Sequence, residues 1–273
     1  MEHYIEPGLL NRQVNVHLIG VGGNGAQMAS RLGRLDVAIR ALGHPHGLKV
    51  TAFDPGRVRE SNIGRQAFSR ADVGANKSVL TISRLNNWFG VNWDGFPWSI
   101  QQEWDKRSLA FLPDIVISCV DTRAARRDLH HYMIAHRFNG YWLDLGNDQN
   151  SGQAVLGQPG REWPRPGRNK VRLPTVADLY PELLDESVPD SNAPSCSIAI
   201  SLASQGLYVN DTVANFAAQL LYQLFERGSL RHHGVIFNLD NLRSAPIDVD
   251  PAMWARLGVE LPADLRTPEP VAA

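Results

Sequence analysis

The residues Gly20-Val21-Gly22-Gly23-Asn24-Gly25 follow a short apolar run, Val14 to Ile19, and precede a stretch of helix formers. Glycines between a strand and a helix let backbone come close to a phosphate, and the helix N-terminus offers free N–H donors. Alone, that loop fits NAD, FAD or ATP equally. Asp54 ends a second apolar run, Leu48 to Phe53, where a ribose-binding acid belongs. It stands about 30 residues past the glycines, later than the roughly 20 of an ordinary dinucleotide site. The plainer reading of Asp54 is a turn former before Pro55. Further on come Asn62, Arg65, Gln66 and Lys77, and then Asp121 after the almost wholly apolar run Ile115 to Val120. The plainer readings here are surface cations for Arg65 and Lys77, a turn cap for Asn62, and a helix cap for Asp121.

Taken together, the segment from Asp54 to Gln66, the run Gly74-Ala75-Asn76-Lys77 and the strand from Asp114 to Thr122 resemble the ThiF/MoeB family, which includes the ubiquitin-activating enzymes. The resemblance covers roughly Val14 to Gly157. The second half, with Ala193-Pro194-Ser195-Cys196-Ser197 and later Gln205 and Asn210, is similar to the ThiF-type proteins of PRTRC gene systems, which also encode a small ubiquitin-like protein and a JAB-type peptidase. The resemblance implies a single adenylation domain over residues 1–273. It implies ATP and Mg²⁺ as cofactors and a homodimer as the assembly. The implied reaction is attack by the C-terminal carboxylate of a small ubiquitin-like protein on the α-phosphate of ATP. That reaction brings two anions together, so the site must neutralise the phosphates and the departing pyrophosphate. Arg65 would bind phosphate oxygens bidentately and Lys77 would act as a point charge. Asn62 would donate to a phosphate without adding charge. Asp121, at the carboxyl end of a central strand, would hold Mg²⁺, which takes one or two carboxylates plus phosphate oxygens. By resemblance, Gly20, Gly22, Gly23 and Gly25 cradle the phosphates, Asp54 takes the ribose hydroxyls and Gln66 supports the pocket. The second acid usual two residues after the first is here Gly56, and Arg12 is the nearest candidate for an arginine that reaches a partner's nucleotide.

Only two cysteines occur, Cys119 and Cys196, which excludes a four-cysteine zinc site and argues against a disulfide framework. Cys119 lies inside an apolar strand and reads as a small buried hydrophobe. Cys196 follows a long charged loop and precedes a run read as a helix. A helix N-terminus lowers a thiol pKa, and in the family a cysteine near this place can take the activated protein as a thioester or acyl-disulfide. A structural cysteine is the alternative. The nine histidines lack metal-ligand spacing, and His130-His131 and His232-His233 read as polar surface pairs.

To position these residues, strand and helix must alternate. Strands are expected at Val14 to Ile19, Leu48 to Phe53, Ile115 to Val120, Tyr141 to Leu145 and Gln153 to Gly157. Helices are expected at Ala26 to Leu42, Lys77 to Phe89 and Arg123 to Arg137. That order predicts a doubly wound, Rossmann-like α/β fold with a mostly parallel sheet and antiparallel strands toward the C-terminus. Residues 158–194 read as a long crossover-type loop, basic first and acidic later. Helices at Ser197 to Gln205 and Asp211 to Phe225 follow, then a strand pair at Val235 to Leu239 and Pro246 to Val249. Trp88, Trp93, Trp98 and Trp104 read as an aromatic packing patch, with a partner surface as the alternative. With 43% hydrophobic residues, 20% charged residues and a net charge of -1, no basic field points to nucleic acid. No apolar run reaches the roughly 20 residues of a membrane helix. A cytoplasmic protein is expected. Two other readings share the glycine loop and Asp54: an NAD(P)-dependent oxidoreductase, and an inactive nucleotide-binding module. The first leaves Arg65, Lys77 and Asp121 without a joint task.

Overall fold

The computed structural model describes residues 1–64, 66–104, 113–160, 169, 171–185, 187 and 206–261. Arg65, Cys196 and the expected helix from Ser197 to Gln205 lie outside these residues. Among these residues the main sheet has eight strands: β2 (Val14–Ile19), β3 (Leu48–Phe53), β4 (Asp94–Phe96), β5 (Ile115–Ser118), β6 (Tyr141–Asn147), β7 (Ser151–Gly157), β9 (His232–Asn238) and β10 (Arg243–Asp248). Their spatial order is β10-β9-β7-β6-β5-β2-β3-β4. Strands β4, β3, β2, β5 and β6 run parallel, and β7, β9 and β10 add on antiparallel. A two-stranded ribbon pairs β1 (His3–Tyr4) with β8 (Ser229–Leu230). This is the doubly wound, Rossmann-like architecture expected from the sequence.

Strand β5 is buried at every position, as a central parallel strand must be. Helix α1 (Gly23–Ala41) turns Met28, Leu32, Leu35 and Ile39 inward at helical spacing. Helix α2 (Lys77–Phe89) starts where the Asn76 side chain accepts from the Val79 N–H, and it ends at Gly90 with φ 66°. A short helix α3 (Ile100–Trp104) leads toward β5, and α4 (Arg123–Ala135) joins β5 to β6. Helix α6 (Val209–Arg227) packs against α1 and against β6 and β7, burying Val213, Ala217, Leu221 and Leu224. Helix α7 (Pro251–Arg256) seals the end of the sheet with Trp254, which is fully buried.

The expected bounds of β2, β3 and α2 match those observed, and those of the other described elements differ by up to three residues. The short elements β1, β4, α3 and α7 carried no periodic signal. Within the stretch read as a loop, Val171, Leu173, Val176 and Leu179 are buried. A helical turn, α5 (Val176–Leu179), is capped there by Thr175, and Arg172 grips Asp178 with two hydrogen bonds of 2.9 and 3.0 Å. Four apolar side chains thus anchor part of the connection to the core. Among the tryptophans, Trp93 is buried and donates to the Leu48 carbonyl, Trp98 stacks on Phe96, and Trp88 is 78% exposed.

The histidine reading needs correction. His232 is exposed and pairs with Asp248, but His233 is fully buried. Its Nδ1 faces the Leu156 carbonyl at 2.9 Å, and its Nε2 accepts from Trp254 Nε1 at 3.1 Å. His130 is half-buried and stacks on Trp142. Adjacent residues on a strand face opposite sides, so a His-His pair on β9 is divided between water and core.

Candidate functional site

The chain leaves β2 toward β3 on one side and returns to β5 on the other. The crevice beyond the carboxyl ends of β2 and β5 is therefore the topological switch point, where open α/β sheets bind ligands. Gly20 to Gly25 follow β2, and Cys119 to Asp121 follow β5, so both segments meet there.

The glycines do different work. Gly20 has φ 83°, and a Cβ there would stand 2.7 Å from the Cys119 carbonyl oxygen. A Cβ on Gly25 would overlap the Gly20 carbonyl oxygen. One on Gly23 would strike the Asn210 side chain at 2.6 Å, whereas Gly22 meets nothing within 4 Å. Three glycines let the loop fold against itself, against β5 and against α6. The fourth leaves open space at the start of α1, whose first N–H groups lack intrahelical acceptors. An anionic group fits that opening.

Asp54 is buried, and both its oxygens accept backbone N–H groups. Oδ2 takes Val21 at 2.6 Å, and Oδ1 takes Gly56 at 2.6 Å. It therefore ties the glycine loop to the end of β3, and its remaining lone pairs suit sugar hydroxyls. At Gly56 a Cβ would stand 2.8 Å from Asp54 Oδ1 and 3.7 Å from Lys77 Cδ and Cε. The Lys77 stem thus passes beside the Asp54 turn. Lys77 N donates to the Gly56 carbonyl at 3.0 Å, and Asn76 Nδ2 donates to the Asp54 carbonyl at 2.8 Å. Val58 and Gly74 extend the same clip. Asn76 had no assigned task in the sequence, yet it both caps α2 and fixes Lys77 beside Asp54.

Asn62 is buried in a short 3-10 turn, where its Oδ1 accepts the Arg59 N–H at 2.9 Å. Gln66 is also buried, and its Oε1 has no hydrogen-bond partner among the described residues. Asp121 is exposed, three residues beyond β5 and just before Thr122, the N-cap of α4. Thr122, not Asp121, is that cap: its side chain accepts from Ala125 N. Cys119 is buried, and burial pushes its thiol well above the ordinary range, as suits an inert packing residue. Arg12 makes a bidentate pair with Asp114 at 2.7 and 2.5 Å. It stands before β2, so a strand length of roughly 20 Å separates it from the glycine loop. Among the described residues no three His, Cys, Asp or Glu side chains converge on a metal position. A cation here would take Asp121 and phosphate oxygens, the donor set Mg²⁺ accepts.

The sequence pattern of the ThiF family matches residues 10–245, which include every element of this site. The chain belongs to the ThiF family. Solved structures share its fold. Escherichia coli MccB with AMPCPP and MccA superposes with a TM-score of 0.56 at 17% identity, over 86% of this chain and 63% of MccB. MccB with ATP gives 0.56 at 16%, over 86% and 63%. PaaA gives 0.56 at 16%, over 86% and 64%. The chain thus spans less than two-thirds of the length of these relatives. A comparison with curated proteins finds no match. Among the described residues no helix is long and apolar enough to cross a membrane.

Proposed function

We propose that the protein uses ATP to adenylate the C-terminal carboxylate of a small ubiquitin-like protein, as a homodimer, and passes the acyl group to Cys196. The observation that carries this is the convergence at one crevice of an open glycine loop, the Asp54 clamp, Lys77 and the Asp121 loop. Family membership and the ATP and MccA complexes of the MccB relative support it. In this reading a carboxylate oxygen attacks the α-phosphorus. The bond from that phosphorus to the bridging oxygen breaks, and pyrophosphate leaves. Asp54 holds the ribose, the start of α1 and Lys77 face the phosphates, and Asn62, Arg65 and Gln66 complete their surroundings. Mg²⁺ held at Asp121 would offset charge building on the pyrophosphate. The thiolate of Cys196 then attacks the acyl carbon, and AMP departs.

ATP–pyrophosphate exchange, with and without the ubiquitin-like protein, tests the first step. Exchange should depend on the carboxylate, and a folded Asp121→Ala variant should lose at least about a hundredfold. Full exchange in that variant would remove Asp121 from the mechanism. Tight NAD binding without ATP binding in calorimetry would favour an oxidoreductase instead. The second step separates cleanly. Cys196→Ala should still form the acyl-adenylate but give no thiol-labile conjugate on non-reducing gels. An undiminished conjugate would make the cysteine structural.

A further inference from the structure

Asp144 stands alone as an acid in the apolar strand β6, and it is fully buried. Two side chains from different elements, Ser118 and Arg126, reach its carboxylate. Ser118 Oγ, at the end of β5, donates to Asp144 Oδ1 at 2.6 Å and accepts the Trp142 indole N–H at 2.6 Å. Arg126, on α4 and 6% exposed, donates from Nε to both carboxylate oxygens at 3.0 and 3.2 Å. Its Nη2 reaches the Val120 carbonyl at 3.3 Å. Val120 immediately precedes Asp121.

The other side of this segment is held as well. Cys119 N donates to the Ile19 carbonyl at 2.8 Å, and the Cys119 carbonyl lies against Gly20, while its Cβ lies against Gly25. The three residues leading into Asp121 are clamped between the glycine loop and the Arg126 guanidinium. A buried ion pair is a poor source of stability, since an apolar set of similar volume packs as well without desolvating two charges. What an apolar set cannot do is hold a backbone carbonyl.

Resting on the adenylation reading, we infer that the Ser118–Asp144–Arg126 chain is a positioning device that sets the Asp121 carboxylate relative to the glycine loop. Arg126 and Asp144 act through Val120 and do not touch the nucleotide. Their part is to make Asp121 competent for the Mg²⁺ form of ATP. The glycine loop and Asp54, which bind nucleotide without the cation, are independent of them.

Two variants remove both charges together, so neither leaves a lone buried ion: Arg126→Met/Asp144→Leu and Arg126→Gln/Asp144→Asn. Melting, calorimetric ATP affinity in Mg²⁺ and in EDTA, and pyrophosphate exchange are read for each. Affinity in EDTA should stay within about twofold of wild type. The gain in affinity from Mg²⁺ and the exchange rate should each fall about tenfold or more, the scale seen when groups behind a metal ligand are lost. Adding either pair of changes to Asp121→Ala should cause no further loss, because both act on one carboxylate. Folded pair variants with a wild-type response to Mg²⁺ would overturn the positioning role while leaving the adenylation reading intact. Failure of both to fold would overturn it too, by making the chain a stability element. A wild-type protein whose ATP affinity gains nothing from Mg²⁺ would instead overturn the underlying reading, and this inference with it.

Discussion

Replacing Gly25 by alanine should lower the melting temperature by roughly 5–10 °C and abolish ATP binding. The added Cβ overlaps the backbone carbonyl of Gly20, with Cys119 Cβ a further 3.4 Å away. Backbone cannot swing aside as the end of a long side chain can. Relief requires α1 to back away from β2, and α1 is wedged between α2 and α6. Overpacking of this kind costs about 3 kcal/mol. The same retreat displaces the first N–H groups of α1 from the crevice, so binding is lost along with stability. Gly22→Ala offers the contrast. Its Cβ meets no atom within 4 Å, so it should melt closer to wild type while still placing a methyl in the open space at the start of α1. Differential scanning calorimetry and ATP titration of the two variants give the comparison. A Gly25→Ala protein that melts within a degree or two of wild type would refute the packing account.

Mild acid should destabilise the fold through two buried histidines. His233 and His3 are both buried, and burial lowers each from 6.5 to about 4. The carbonyl of Leu156 can only accept, so His233 Nδ1 must carry the proton and Nε2 must keep its lone pair for Trp254. Protonating Nε2 breaks that acceptor. His3 bonds Tyr141 Oη through Nε2 at 2.9 Å, and its Nδ1 is buried without a partner among the described residues. Both histidines therefore stay neutral in the folded protein down to about pH 4, while in the unfolded chain they take protons below about 6.5. Their contribution is complete above pH 6.5 and is lost as pH falls toward 4, at about 1.4 kcal/mol per unit for each residue. Over the whole window that is on the order of 3 kcal/mol apiece. Asp72 behaves oppositely. The Ser69 N–H and Arg84 hold its carboxyl below the ordinary value, so it surrenders stability only at lower pH still. Melting temperature should thus drop by roughly 10 °C between pH 7 and pH 5. His233→Gln should flatten that slope by about half. A melting temperature unchanged over this range would rule the buried histidines out as the acid-sensitive groups.

The long periodic elements were legible because burial and period coincide in them. Leu48 to Phe53 and Lys77 to Phe89 each bury one face or run, and their bounds emerged directly. Short elements were not, since β1, β4 and α7 owe their conformation to neighbours. At the candidate site, the glycine loop, Asp54, Lys77 and Asp121 could be picked out by type and position alone. Asn76, Arg126 and Asp144 did not, because their roles exist only once distant segments meet. One signal was available: an acid within the apolar run Tyr141 to Leu145 must find a buried donor. The split between His232 and His233 was likewise implicit in strand alternation, once the strand start was known.

The two margins of the sheet bear on how copies of this chain can associate. At one, β4 has three residues, and its Asp94 is engaged by Lys49. At the other, β10 is solvent-exposed at all but one position and carries Pro246, which has no N–H to offer. Short, charged or proline-bearing margins discourage an incoming strand. Sheet continuation across copies, the commonest route to runaway polymerisation, is thereby blunted at both ends. Any symmetric pairing is left to helices and loops, whose side chains can encode a specific partner as unpaired backbone cannot.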